Sequence, residues 1–151
     1  MQTNTEKNWA TLTHLGAFGQ YLFPLGNFVI PIIIWSSKKN ESAFVDYNGK
    51  QCINFQLSVF LYSLILGAFF VPSFIITFLS HVTINELIHD RHFIIQDLNF
   101  SENVGLITTG AIALFFLVCL KITEFFLIIQ AAVKTANGER YSYPLNLKFM
   151  K

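Results

Sequence analysis

Charge is what this sequence has least of: Asp, Glu, Lys and Arg make up 13% of its 151 residues, against 53% hydrophobic residues. Soluble domains carry roughly a quarter charged residues, so an ordinary water-facing shell cannot be built from this chain. The few charges nearly balance, with a formal net charge of +1, and the aromatics lie in apolar stretches instead of alternating with Lys and Arg. Both facts exclude a nucleic-acid surface. Cysteine is almost absent. Cys52 and Cys119 stand far apart, make no Cys-x-x-Cys or zinc spacing, and read as reduced, buried apolar side chains. No disulfide framework, metal site or other cofactor is expected. The chain also lacks a nucleophile-base-acid set, a phosphate-binding Gly-rich loop and a His-Glu-x-x-His helix. It is therefore read as non-enzymatic, with no catalytic residues, and no small-molecule substrate is identified from its residues.

Long apolar runs are what it has instead. Residues 12–35, 52–79 and 104–133 each exceed the roughly 20 residues that a helix needs to cross a bilayer, and the mean hydropathy is +0.50. An all-α membrane protein follows, a single domain over residues 1–151 with about three transmembrane helices. The first run is too long for a signal-peptide core and no small-x-small site follows Trp35, so the first span is expected to be retained.

Each run carries polar exceptions. The first contains Pro24 and Pro31, which remove backbone donors and predict a kink near residues 20–27. His14, Gln20 and Asn27 lie in the same run, where lipid cannot satisfy them; they serve carbonyls freed by the prolines and neighbouring helices, or else line a solute path. Gly16, Gly19 and Gly26 permit close helix approach without forming a Gly-x-x-x-Gly motif. Pro72 predicts a kink in the second run, and Asn54 and Gln56 near its start are candidates for interfacial anchoring or helix-helix hydrogen bonds. In the third run Lys121 and Glu124, three apart, share a helix face. They suit an ion pair with the Lys stem reaching for phosphate, proton or ion coupling, or a contact to a partner subunit.

Between the second and third runs, Thr83-Ile84-Asn85-Glu86 has the form of a capping box, and Ile84, Leu87, Ile88, Ile94, Ile95 and Leu98 recur at helical spacing. An amphipathic surface helix over about 83–100 is predicted. Glu86, Asp90, Asp97 and Glu102 make it acidic, which disfavours anionic lipid and favours a protein-facing position. His81, His89 and His92 read as solvated. Glu86 and His89 have the Glu-x-x-His spacing, but di-iron sites use that motif twice with further carboxylates. Lys38, Lys39 and Lys50 in the first loop, and Lys134, Arg140, Lys148 and Lys151 in the tail, put those segments on the cytoplasmic side. With three spans the N-terminus lies outside and the C-terminus inside; a re-entrant first segment would move the head to the other face.

The segments His14-Leu15-Gly16, Pro24-Leu25-Gly26, Pro31-Ile32-Ile33-Ile34-Trp35 with Lys38-Lys39, Phe44-Val45-Asp46, Gly49-Lys50 and Asn54-Phe55-Gln56 resemble the bacterial small membrane protein family related to the chloroplast Tic import component. Ala131-Ala132, Lys134, Ala136-Asn137-Gly138-Glu139, Tyr141 and Tyr143-Pro144-Leu145 are similar to that family's closing pattern of helix end, turn and strand-like tail. The resemblance implies a helical protein of the bacterial cytoplasmic membrane. The family's chloroplast relatives belong to a protein-import translocon, but three helices enclose no channel wide enough for a polypeptide, so the chain is expected to be an accessory subunit of a larger complex, of the kind that translocates or exports proteins, with larger integral membrane proteins and the lipid bilayer as partners. Its contacts would include His14, Gln20, Asn27, Asn54, Gln56, Lys121, Glu124, Tyr141 and Tyr143. A homo-oligomeric channel or transporter for ions or small solutes is the alternative, with Gln20, Asn27, Lys121 and Glu124 along its path. An envelope-stress or signalling component is the third possibility.

Overall fold

The structure, a computed structural model, describes residues 2–81 and 104–150, with the backbone alone for residues 77–81. Among them are four α-helices and a 3-10 helix: α1 (Asn4–Leu15), the 3-10 helix (Gly16–Tyr21), α2 (Gly26–Lys38), α3 (Ala43–His81) and α4 (Val104–Ala136). The described residues contain no strand, so the strand-like tail is not found there. The amphipathic helix expected over 83–100 lies outside the described residues.

Side-chain caps set the starts of α1 and α3. The Glu6 amide donates to the Thr3 hydroxyl at 3.2 Å, and the Glu6 carboxylate accepts from the Thr3 amide at 2.7 Å, a reciprocal pair that opens α1. The Ser42 hydroxyl accepts from the amides of Phe44 and Val45 at the start of α3, and donates to the same Glu6 carboxylate at 2.6 Å. One carboxylate thus joins two helix starts. Gly138, at φ 86°, ends α4 in the left-handed region that favours glycine, and the Glu139 amide closes back on the Lys134 carbonyl at 3.0 Å.

Among the described residues two helices, not three, are long and apolar enough to cross a membrane: Ala43–Ile76 within α3, and α4. Residues 12–35 form no single helix. The end of α1 tightens into the 3-10 helix, the amides of Leu22 and Phe23 close on the Gly19 carbonyl, and Leu25 takes φ 63° before α2 starts. Proline explains part of the break, since Pro24 has no amide to donate. Glycine explains the rest. A Cβ built on Gly19 would lie 2.7 Å from the Gly26 carbonyl oxygen, so only bare backbone allows the two arms to fold against each other. The expected kink is a hairpin turn, and the three-span count that placed the N-terminus outside does not hold. Pro31 is buried inside α2, and Pro72 lies inside α3, which continues through it.

The chain divides into two compact units. The first comprises Met1–Leu61 and Lys121–Lys151, and so holds α1, the hairpin, the start of α3, the end of α4 and the tail. Its core mixes Ala10, Ala17, Phe44, Val45, Cys52, Phe55, Val59, Ile128 and Ala131 with buried His14, Asn48, Asn54, Gln56, Ser58, Glu124 and Thr135. The second unit, Tyr62–Leu120, contains the later part of α3 and the earlier part of α4. There Gly110 meets Ser73, where an added Cβ would stand 3.1 Å from the serine Cβ. Phe69, Phe74, Phe115 and Phe116 are exposed. Amides inside and phenylalanines outside invert the soluble arrangement and suit a lipid solvent.

Candidate functional site

His14, at the end of α1, is fully buried in the first unit. Its Nδ1 lies 2.9 Å from the Tyr143 hydroxyl and its Nε2 3.4 Å from Asn48 Oδ1. Asn48 Nδ2 donates to the Phe44 carbonyl at 3.0 Å, which fixes Oδ1 as the acceptor facing the imidazole. The proton therefore sits on Nε2, and Nδ1 accepts from Tyr143. Burial pulls the His14 pKa down to about 4, against a smaller upward effect of Asn48, so the ring is neutral near pH 7. Burial also raises the Tyr143 pKa well above the ordinary phenol value, which keeps its proton available to donate.

Asn48 is the hub. Its Oδ1 also lies 3.4 Å from the Thr135 hydroxyl and 3.3 Å from the Tyr141 amide, long bonds consistent with several donors sharing one oxygen. The Tyr143 ring stacks on Phe55 at 4.0 Å between centroids and meets Tyr141 edge-on at 4.9 Å. Tyr141 in turn donates to Gln130 at 2.8 Å. The network thereby clamps the tail onto α1, α3 and α4.

The other expected residues fall in the same unit. Gln20, at the hairpin, donates to Glu124 at 3.3 Å and accepts from Lys121 at 3.4 Å. Lys121 and Glu124 pair at 2.8 Å, with the lysine half-exposed and the carboxylate buried. Asn27 donates to Gln56 Oε1 at 2.9 Å, while Gln56 Nε2 is buried without a partner among the described residues. Asn54 makes a two-way pair with the Met150 backbone, donating at 2.9 Å and accepting at 2.8 Å, and Ser58 accepts from the Leu147 amide at 2.8 Å.

Sequence reasoning missed Asn48, Thr135, Gln130 and Ser58. A signal for Asn48 was present: Val45, Asn48, Cys52, Phe55 and Val59 recur every three or four residues and all are buried. Asp46 and Lys50 hid it by interrupting the apolar run, although they pair with each other at 2.7 Å one turn apart. Among the described residues no group of three or more His, Cys, Asp and Glu is placed to hold a metal ion. A groove of about 320 Å³ beside Trp9 has its charges already matched, with Lys38 on Glu41 and Glu6 on Ser42.

No curated protein and no solved structure gives a significant match to the chain. The resemblance to the Tic-related family is overturned, because the family model that matches is a different one, and the implied role in protein translocation loses its support with it. Packing accounts for the motifs that carried the likeness. His14 and Tyr143 meet in a core, Pro24-Leu25-Gly26 makes a turn, and Asn137-Gly138 stops a helix. Such devices are open to any small helical membrane protein and specify no partner. The match runs over residues 5–150, nearly the whole chain, and places it in the magnetosome magnetite crystal formation protein family, MamF/MmsF.

Proposed function

We propose that this protein is a non-enzymatic component of the magnetosome membrane that acts on the growing magnetite crystal from within that membrane, beside larger integral membrane proteins. The observation that carries this is the family match over residues 5–150. The charge pattern supplies a mode of action. Residues 82–103 hold Glu86, Asp90, Asp97 and Glu102, four of the nine acidic residues, and only Arg91 of the ten Lys and Arg. With two spans, connectivity sends this segment to one face and both ends of the chain to the other, and the positive bias makes the chain ends cytoplasmic. The acidic segment then faces the mineral. Carboxylates are hard oxygen donors suited to iron ions at an oxide surface, and several close together raise the local cation concentration. On this reading the first unit is the anchor, and its polar network serves to hold the two spans.

The test is replacement of Glu86, Asp90, Asp97 and Glu102 by Gln or Asn in a magnetite-forming cell, with Glu41→Gln and Glu139→Gln as an exposed control pair. Crystal dimensions are measured by electron microscopy at matched protein level. Altered size or shape in the first variant alone is expected. Crystals unchanged from those of the unmodified cell would sink the acidic-segment mechanism, and crystals unchanged on deletion of the whole chain would sink the function itself.

A further inference from the structure

The hairpin of residues 16–38 has two unlike sides. Its two amide side chains turn inward, Gln20 to Glu124 and Lys121, and Asn27 to Gln56. Its outer side is apolar around the tip and along α2: Leu22 is 79% exposed, Tyr21 68%, Ile33 61% and Leu25 60%, with Phe23, Val29 and Ile32 beside them. Left in water, this run would be a large contiguous apolar patch of the kind that marks a lipid or protein contact. The neighbouring helices of the same unit show what covers it. Phe60 and Leu61 of α3, and Phe126 and Ile129 of α4, are exposed in the same way on segments apolar enough to span a membrane.

The base of the hairpin marks a headgroup level. The Trp35 indole donates to Asp46 at 3.0 Å, Lys39 lies over the Trp35 ring at 4.5 Å from its centroid, and Lys38 lies over Trp9 at 5.7 Å. Tryptophan and lysine together are the usual occupants of the membrane-water boundary. From Trp35 to Gly26 the helix rises about 14 Å, roughly half of a 30 Å hydrocarbon core. Side-chain contacts agree on this depth: Trp35 packs on Gly49, Asn27 bonds Gln56, and Phe28 meets Phe60 at 6.0 Å, while α3 continues to His81.

We infer that residues 16–38 form a wedge in one leaflet, entering and leaving on the face that carries Lys38 and Lys39, and that it gives the chain a preference for membrane convex on that face. The hairpin adds two helical rods, each about 10 Å across, to the acyl chains of one leaflet and nothing to the other. Extra volume in a single leaflet is relieved by bending the bilayer toward that side, the basis on which interfacial helices respond to curvature. The occupant of the apolar side is lipid, not a second copy of the chain. This inference is independent of the acidic segment and of the mineral.

The test uses the full chain lacking both cysteines, through Cys52→Ala and Cys119→Ala, in vesicles of phosphatidylcholine and phosphatidylglycerol. A bimane dye on Leu22→Cys should be quenched by lipids brominated deep in the acyl chain and untouched by aqueous iodide on either face. Quenching by iodide, or ready disulfide linkage of two Leu22→Cys copies, would overturn the inference. For curvature, Asn4→Cys is labelled from outside giant vesicles with an impermeant dye, which selects one orientation, and a membrane tube is pulled. Enrichment on the tube of about two-fold or more is expected, falling toward none in Leu22→Ser/Phe23→Ser. Those two side chains are exposed, and an unchanged melting temperature would show that the variant folds. Equal density on tube and flat membrane would overturn the inference.

Discussion

At the scale of single residues, the first unit concentrates its polar interactions on a few side chains that leave little room for substitution. His14 makes the case with a sign that can be worked out. Its pKa falls from an ordinary 6.5 to about 4 on burial, so between those values the unfolded chain binds a proton that the folded chain refuses. Stability therefore rises with pH across that window; the contribution is complete above pH 6.5 and is lost as the pH falls to about 4. Its size is about 3 kcal/mol at most, from 1.36 kcal/mol per pKa unit. Glu6 acts lower on the scale. The Ser42 and Thr3 hydrogen bonds hold its carboxyl below the ordinary carboxylate value of 4.5, so its contribution is present above that value and lost as the pH falls through the folded one. Unfolding of the detergent-solubilised protein, followed from pH 7.5 to 4, should show the midpoint dropping steeply below pH 6.5. His14→Gln should be less stable at pH 7 yet nearly flat between pH 6.5 and 5. An equal slope in both proteins would assign the pH dependence to other groups.

At the scale of elements, the hairpin depends on the absence of side chains where its two arms touch. A methyl on Gly26 would run into the Gly19 carbonyl, which is backbone and cannot rotate away. Gly26→Ala should therefore cost about 1–3 kcal/mol through forced separation of the arms. Gly67 in α3 is the matching control, because a Cβ there meets nothing within 4 Å. Gly67→Ala should be neutral or gain up to about 1 kcal/mol, the helix-propensity difference between the two residues. Thermal melts of the two variants check both signs, and similar melting temperatures would deny the close backbone contact. The same elements show how far the sequence could be read. Most of α3 and α4 was legible because length and hydropathy alone nearly define a span. The start of α3 was not, since Asp46, Asn48 and Lys50 look like a loop until Asn48 is seen to face the core and Asp46 to bond Lys50 and Trp35. The hairpin was half legible: the prolines announced a disturbance, but only the contact of Gly19 with Gly26 turns a kink into a reversal. Gln20, Asn27, Asn54, Gln56 and Glu124 could be picked out because lipid cannot satisfy an amide or carboxylate. Which partners satisfy them depends on contacts up to about a hundred residues apart along the chain, as for Gln20 and Glu124, and no local pattern encodes those.

At the scale of the whole molecule, the number of spans decides which residues share a compartment. If α3 and α4 are the crossing helices, connectivity requires Asn4 and Asn40 on one face and Asn99 on the other. A spanning first segment would instead separate Asn4 from Asn40. Single cysteines at these three positions, in a chain with Cys52 and Cys119 replaced, distinguish the two arrangements when intact vesicles of known sidedness are treated with a membrane-impermeant thiol reagent. Asn4→Cys and Asn40→Cys should react from the cytoplasmic side, and Asn99→Cys only after the vesicles are opened. Reaction of Asn4→Cys from the opposite side to Asn40→Cys would refute the two-span arrangement and the one-leaflet wedge together. Reaction of all three from one side would mean that the long helices do not cross. If Asn99→Cys alone is shielded until opening, the carboxylates of Glu86, Asp90, Asp97 and Glu102 are enclosed with the compartment's contents. The proposed wedge would then sit in the outer leaflet, which is the convex one of any closed vesicle, so a charge bias that orients the chain this way would also put the hairpin where curvature favours it.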